Sequence, residues 1–297
     1  MNRHPLASAT ALMTSAALVF GVMAILAKGA AGHVPGPEIA FIRFAVGLVA
    51  CAAAALRLRL RANNWRGLIW RGAFGGAAVL CYFLAIQHLT VGTATLLNYT
   101  APVFTALWAW LFLGERVGVG TFGALAITTL GVGVVMYANA PPGGGVAIGR
   151  WQLVGILSSM LSGAAVATIR EVRKTDGAWE IFCAFCIAGA LFTGVPASRH
   201  WVTPTPAEWA MMLGVGVTSV AAQLMMTYSL RDLPATAAGV LFQLTPVSTL
   251  VLGRIFYGER PVPLAIGGAT VTLVGVAWGA YLSAAPQRVQ PVPAEEP

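Results

Sequence analysis

Polar side chains recur at helical spacing inside two long apolar stretches of this chain. In the first stretch, Thr95, Asn98, Pro102 and Thr105 follow one another at three- and four-residue intervals, so they share one face of a helix. An amide both donates and accepts hydrogen bonds, and a proline inside a helix leaves a backbone carbonyl without its donor. Such a face could bind the polar groups of a small solute without changing its covalent structure.

The second stretch repeats this pattern 144 residues later. Pro246 follows Pro102 at that interval, and Gly-Glu-Arg occurs at both 114–116 and 258–260. We expect Pro102 and Pro246 to kink two symmetry-related helices and to bring free carbonyls near the middle of the molecule. The alternative is that both kinks only aid packing, since proline is common in membrane helices.

The composition indicates that these faces lie in a membrane. Of the 297 residues, 58% are hydrophobic and 9% are charged, whereas a soluble domain carries roughly 25% charged residues. A helix needs roughly 20 apolar residues to cross the hydrocarbon. The expected fold class is therefore all-α, a polytopic membrane protein with ten transmembrane helices, at about 8–28, 36–56, 67–87, 92–113, 118–138, 151–170, 178–196, 206–229, 235–257 and 262–284.

The repeat divides the ten segments into two sets of five. We expect residues 1–140 to form the first five-helix repeat, 146–285 the second, and 286–297 a cytoplasmic tail. Because five is odd, the second repeat is inverted in the bilayer. Inverted repeats are common in secondary transporters, which bind substrate near the midplane between the repeats. Segment 8–28 is longer than the apolar region of a signal peptide, so we interpret it as the first helix.

Basic residues predict the orientation. With a cytoplasmic N-terminus, 12 basic residues fall on the inner side, 4 on the outer side and 2 within segments, which accounts for all 18. Basic loops are typical of the cytoplasmic side, so both termini are expected there, and the net charge of +8 does not indicate nucleic-acid binding. The inner set is Arg3, Arg57, Arg59, Arg61, Arg66, Arg71, Arg116, Arg170, Arg173, Lys174, Arg231 and Arg288.

Polar and aromatic side chains deep in the segments are the candidate substrate-binding residues, because such groups usually face the protein interior or a cavity. Glu38 and Arg43 lie within one and a half turns of each other and are expected to form a structural pair or a gate. A serine in this set has the alternative role of a small residue that allows close helix contact. The candidate set is Tyr82, Asn98, Tyr99, Ser159, Gln223, Phe242 and Gln243.

Other chemistry has little support. Cys183 and Cys186 have the Cys-x-x-Cys spacing but no second pair to complete a zinc site, and no catalytic triad or phosphate loop is found. We therefore expect no enzyme activity, cofactor or metal. No Asp or Glu lies near the middle of a segment, which argues against proton-coupled export of cations.

Two stretches resemble a known family. "LLNYTAPVFTALWAWLFLGERV" and "VLFQLTPVSTLVLGRIFYGERP" are similar to the paired signatures of the drug/metabolite transporter superfamily, and "EIAFIRFAVG" to its EamA-type branch of ten-helix bacterial exporters. The surroundings of Asn98, Tyr99 and Pro102 look similar to the YddG-type aromatic amino-acid exporters. In the second repeat, Phe185 stands where Arg43 would map.

The resemblance implies an exporter in the bacterial inner membrane that works by alternating access. The aromatic and amide groups listed above predict a neutral or aromatic amino acid as substrate. The lipid bilayer is the expected surrounding partner, and a monomer or homodimer is the expected assembly. The alternatives are a multidrug or other metabolite exporter of the same superfamily and, from another class, an integral membrane enzyme or scaffold. Neither of the last two needs inverted repeats.

Overall fold

The structure, a computed structural model, describes residues 4–88, 97–115, 117–138, 149–258 and 260–284. Within them the chain is helical. The helices are α1 (His4–Ala30), α2 (Gly36–Arg57), α3 (Trp65–His88), α4 (Ala101–Leu113), α5 (Val119–Ala138), α6 (Arg150–Val172), α7 (Ala178–Arg199), α8 (Pro206–Ser229), α9a (Ala235–Phe242), α9b (Leu244–Tyr257) and α10 (Pro263–Ala284). The linker at 141–145, the tail at 286–297 and Thr95 lie outside the described residues.

Ten apolar spans form the bundle in the described part of the chain. Eight are long and apolar enough to cross a membrane, with α9a and α9b together making one span, and two are shorter, Ala101–Leu113 and Val119–Val135. Large apolar side chains cover the outside, including Phe112, Leu191 and Tyr137, which are 72–74% exposed. This surface suits contact with lipid chains. The predicted fold class is confirmed.

Two of the spans are interrupted at equivalent places. The ninth span breaks at Gln243, between α9a and α9b and three residues before Pro246. In the fourth span, Tyr99 and Thr100 form a turn just before α4, which has Pro102 in its first turn. Proline cannot donate its backbone nitrogen to the preceding turn. Each break therefore leaves carbonyl groups free inside the bundle.

Reciprocal contacts relate the two halves by an approximate twofold axis. Gly131 packs on Thr272, where an added Cβ would lie 2.5 Å from Oγ1, and Gly275 packs on Thr128, where an added Cβ would lie 2.7 Å from Cγ2. Residues 128 and 131 correspond to 272 and 275 at the 144-residue interval. Helices α5 and α10 thus contact each other through equivalent residues of the two repeats, as expected for two helices related by a twofold axis.

The pair α2 and α7 crosses in the same reciprocal way. Gly47 lies against Cys186, and Gly189 lies against the ring of Phe44. At an offset of 142 residues, Gly189 corresponds to Gly47 and Cys186 to Phe44. The other contacts follow the same symmetry, since α1 packs on α8 as α6 packs on α3, and α2 packs on α8 as α7 packs on α3. The five-helix repeats are therefore inverted with respect to each other.

Loop contacts define the two ends of the bundle. At one end, Asp176 accepts hydrogen bonds from the backbone nitrogens of Asn63 and Asn64 at 2.8 and 2.9 Å. We call this end, with loops 58–64, 173–177 and 230–234, the Arg-rich end. At the opposite end, Glu208 caps α8 and lies 3.3 Å from His33.

Candidate functional site

The two helix breaks meet at the centre of the bundle. Gln243 Nε2 lies 3.4 Å from the carbonyl oxygen of Tyr99 and 3.4 Å from Thr129 Oγ1. Tyr99 and Gln243 are equivalent at the 144-residue interval, so this hydrogen bond lies close to the approximate twofold axis. Gln243 is fully buried, and its Oε1 has no hydrogen-bond partner among the described residues. The amide therefore still has an acceptor that a bound molecule could use.

A cluster of polar side chains, contributed by both repeats, lies next to this point. Thr100 Oγ1 lies 3.0 Å from Ser159 Oγ. Ser158 Oγ donates to the carbonyl of Ala78 at 2.8 Å and lies 3.4 Å from Asn98 Oδ1. We call Asn98, Tyr99, Thr100, Ser158, Ser159 and Gln243 the polar cluster. Helices α3, α4, α6 and the break in span nine position it.

The equivalent positions in the other half are apolar. Phe242 stands where the first repeat has Asn98, and Leu244 stands where it has Thr100. Phe242 packs edge-on against Phe20 of α1, with ring centroids 5.3 Å apart. The site thus has a polar side and an apolar side about the twofold axis. Such a surface can bind a polar group and a hydrophobic group of one solute at the same time.

Tyr82 and Gln223 lie on α3 and α8. Tyr82 is half-buried, and its ring centroid is 5.8 Å from that of Phe83. Gln223 is 4% exposed, and no described residue forms a hydrogen bond with its Nε2. Gln223 lies one turn after Ser219, which is the partner of Arg43. The structure thus groups Asn98, Tyr99, Ser159 and Gln243 together, and places Gln223 beside Arg43.

Glu38 and Arg43 have different partners and do not form an ion pair with each other. Glu38 is fully buried, and its Oε2 accepts a hydrogen bond from the backbone nitrogen of Val202 at 3.0 Å. Arg43 Nε donates to Ser219 Oγ at 2.6 Å. Glu38 therefore joins α2 to the loop before α8, whereas Arg43 joins α2 to the middle of α8.

Arg71 is a buried polar residue near the inner end of the predicted segment 67–87. It lies in the second turn of α3, is 3% exposed, and has its Cζ 4.2 Å from the ring centroid of Phe185. The sequence does carry a signal. Leu68 and Gly75 lie three residues before and four residues after Arg71, so all three share the buried face of one helix.

The repeated Gly-Glu-Arg ends a helix and joins the two repeats. Gly114 and Gly258 both have φ of 65°, a left-handed conformation that glycine adopts without steric cost. Glu115 Oε1 lies 3.6 Å from Arg170 Nε and accepts a hydrogen bond from the backbone nitrogen of Ala235 at 3.2 Å. Arg116 and Glu259 lie outside the described residues. In the first repeat, the glutamate therefore holds the start of α9a and the end of α6.

A cavity of about 190 Å³ opens between α2, α3 and α7, away from the Arg-rich end. Its lining includes Pro37, Phe83, Thr193, Pro196 and His200. The cavity lies next to Tyr82 along α3. Among the described residues, no three His, Cys, Asp or Glu side chains are arranged to hold a metal ion.

Two inverted five-helix repeats, with broken helices meeting at their interface, are the architecture of a secondary transporter. The comparison with known proteins agrees. The model of the EamA-like transporter family matches residues 7–137 and 149–280. The chain belongs to this family.

Similar proteins include named exporters. The pseudopaline exporter CntI of Pseudomonas aeruginosa is 29% identical over 273 residues, which cover 91% of this chain and 94% of that protein. A protein named "Probable terminal-alkyne amino-acid exporter" from Streptantibioticus cattleyicolor is 27% identical over 242 residues, covering 79% and 80%. A solved crystal structure matches with a TM-score of 0.79 at 21% identity, covering 93% of this chain and 97% of that one, which shows the shared fold.

Proposed function

We propose that this protein exports amino acids or similar small metabolites across the bacterial inner membrane by alternating access between its two repeats. Neutral and aromatic amino acids are the proposed substrates. One observation carries the proposal. The polar cluster and the apolar side formed by Phe20 and Phe242 flank the same helix breaks, so a zwitterion could place its charged groups on one side and its side chain on the other.

The unsatisfied groups support this assignment. Gln243 Oε1 can accept a hydrogen bond from an ammonium group, and Gln223 Nε2 can donate one to a carboxylate. Asn98 and Tyr99 provide further acceptors near the same breaks. A site made of amides, hydroxyls and backbone carbonyls suits a neutral zwitterion better than a permanent cation, because it contains no fixed negative charge.

The named relatives favour export as the direction of transport. One is an exporter of pseudopaline, and the other is named for an amino acid with a terminal alkyne. The second candidate function is therefore export of a different metabolite through the same fold. Inversion of the repeats supports transport over a role as an enzyme or scaffold.

The orientation remains part of the proposal. The basic loops of the Arg-rich end support a cytoplasmic location for that end by the positive-inside rule, and we propose that both termini lie on the same side. The transporter is proposed to act as a monomer or homodimer.

Flux through the purified protein tests the proposal. Proteoliposomes would be loaded with labelled Phe, Trp, Met, Leu, Asp, Glu or a quaternary amine, and release would be compared with protein-free liposomes. We expect aromatic and larger apolar amino acids to leave fastest. Rapid release of quaternary amines, with Phe, Trp, Met and Leu retained, would contradict the proposal.

A further inference from the structure

Two guanidinium groups share one aromatic ring inside the bundle. Arg43 of α2 and Arg71 of α3 place their Cζ atoms 5.7 and 4.2 Å from the ring centroid of Phe185 in α7. The two Cζ atoms are thus at most about 10 Å apart. Among the described residues, neither arginine forms an ion pair with a carboxylate. Two positive charges therefore lie within the membrane-spanning region, and no described carboxylate pairs with either of them.

Arg71 has hydrogen-bonding capacity that the protein does not use. It is 3% exposed, and in the part of the chain that the structure describes neither Nε nor Nη1 has a hydrogen-bond partner. The ionisable groups near it in the described structure are the thiol of Cys186 and the guanidinium of Arg43. Burying a charge costs several kcal/mol unless it is paired and hydrogen-bonded. Contact with Phe185 alone does not neutralise this charge.

The neighbouring polar groups are also donors or neutral. Arg43 is partly exposed, stacks on Phe44 at 5.2 Å and donates to the neutral hydroxyl of Ser219. One turn further along α8, the Nε2 of Gln223 has no hydrogen-bond partner within the described ranges. Three side chains from three helices thus present donors without a charged acceptor. Such a set of donors can bind an anion.

We propose that Arg43 and Arg71, with the amide of Gln223, bind the carboxylate of the exported metabolite. A guanidinium can bind a carboxylate through two parallel hydrogen bonds. The attraction between the charges is stronger in the protein interior than in water. The inference rests on the proposed function, because the carboxylate belongs to a transported solute.

The location of the pair fits a transport route. The carbonyl of Ala78, which belongs to the surroundings of the polar cluster, lies seven residues after Arg71 on α3, or about 10 Å along the helix. Arg71 therefore lies between the polar cluster and the Arg-rich end. A solute that crosses from one end to the other would pass both.

Binding of matched ligands to the full-length protein in lipid nanodiscs tests the site. 3-Phenylpropionate has the carboxylate of L-phenylalanine without the ammonium group, and L-phenylalaninamide has the ammonium group without the carboxylate. The unfolding temperature would be followed against ligand concentration, because a ligand that binds the folded protein raises it. We expect L-phenylalanine and 3-phenylpropionate, the two acids, to bind at least tenfold more tightly than L-phenylalaninamide, the amide.

Variants assign the binding to the arginines. Arg43→Gln and Arg71→Gln should each weaken binding of both acids at least tenfold and leave binding of the amide unchanged. Gly75→Ala should cause a similar loss, because its Cβ would overlap Arg71 Nη1. Arg66→Gln is the matched control, since Arg66 is an exposed arginine of α3 that stacks on Trp65. It should bind like the wild type.

The unfolding temperature of Arg71 variants distinguishes carboxylate binding from a purely structural role. Because no described carboxylate pairs with Arg71, Arg71→Met should keep or raise the unfolding temperature of the ligand-free protein. The same substitution should weaken the binding of L-phenylalanine and 3-phenylpropionate. A lower unfolding temperature combined with wild-type binding of acids in Arg71→Gln would overturn the proposal. Stabilisation by chloride equal to that by 3-phenylpropionate would overturn the assignment to a carboxylate.

The same proteins separate this proposal from the proposed function. If no amino acid leaves wild-type proteoliposomes, but binding of 3-phenylpropionate depends on Arg71, the proposed substrates are wrong and the carboxylate site is supported. If phenylalanine leaves the liposomes and Arg71→Gln exports it at the wild-type rate, the carboxylate site is wrong and the proposed function is supported.

Discussion

Gln243 donates a hydrogen bond to the backbone carbonyl of Tyr99, the residue that holds the same position in the other repeat. Each repeat therefore contributes its helix break to a common centre, but it contributes a different group. The first repeat gives a backbone carbonyl and the second gives an amide side chain. In the proposed alternating access, one repeat moves relative to the other, and this hydrogen bond would join the surfaces that move.

The first prediction concerns this glutamine. Gln243→Ala should slow the export of aromatic amino acids at least tenfold, because it removes both the contact with Tyr99 and the free acceptor Oε1. The amount of protein in the membrane should stay the same. Thr270→Ala is the control, since Thr270 is exposed on the outside of the bundle and bonds within its own helix. Wild-type flux in Gln243→Ala would remove the central amide from the proposed site.

The second prediction concerns the helix breaks. Pro102→Ala and Pro246→Ala should still insert into the membrane but transport more slowly, because alanine allows the preceding carbonyls to be used within a continuous helix. Pro263→Ala is the matched control, because Pro263 is exposed at the start of α10, where a missing nitrogen donor costs little. Rates equal to the wild type in both variants would show that the breaks only serve packing.

The third prediction concerns the contact between α5 and α10. Gly131→Ala should destabilise the protein by about 1–3 kcal/mol, because the new Cβ would lie 2.6 Å from the backbone nitrogen of Thr272. Gly133→Ala in the same helix should be neutral or stabilising, since nothing lies within 4 Å of its added Cβ. Thermal unfolding in detergent measures both. An equal effect of the two substitutions would contradict the close approach of these helices.

The fourth prediction concerns the ion pair at the Arg-rich end. Glu115→Ala should lower stability by about 1–3 kcal/mol, because it removes the partner of Arg170 and leaves backbone donors at the start of α9a without an acceptor. A double-mutant cycle with Arg170→Ala should give a coupling of at least about 0.5 kcal/mol. The exposed pair Glu171 and Lys174 is the control, with an expected coupling of at most about 0.5 kcal/mol.

The fifth prediction concerns orientation. Single cysteines would be introduced at Gly32 and Ala62, which are exposed in loops at opposite ends of the bundle, in a protein lacking Cys51, Cys81, Cys183 and Cys186. An impermeant thiol reagent added to intact cells should label position 32 and not position 62. The reverse labelling would invert the proposed orientation, and equal labelling would contradict the placement of these loops at opposite ends.

The sequence predicts the fold better than it predicts the site. The spans and the inverted repeats follow from apolar length and the 144-residue interval, because hydrocarbon thickness and repetition are both visible in one dimension. The hydrogen-bond partner of each buried side chain is not visible in one dimension. Glu38 and Arg43 are close in sequence, but their side chains contact α8 and the loop before it, since a buried group bonds to whichever helix packs on its face.

The polar cluster shows the same limit in more detail. Asn98 and Ser159 are recognisable as polar residues in apolar spans, but their link through Thr100 and Ser158 depends on how α4 packs on α6. Arg71 is the last of five arginines between residues 57 and 71, a pattern that predicts a cytoplasmic location and not a buried side chain. Its burial depends on the rotation of α3 against α7, which the one-dimensional pattern indicates only through Leu68 and Gly75.

The contact of Gly131 with Thr272, and of Gly275 with Thr128, has a consequence for how such a chain could have arisen. A surface that packs on its own equivalent is self-complementary, so one five-helix half could in principle assemble with a second copy of itself. The copies would have to be inserted in opposite senses, which a short polypeptide achieves only when its loop charges are nearly balanced. Joining two copies in one chain with an odd number of helices removes that requirement. The two halves can then differ at equivalent positions, as they do at Asn98 and Phe242.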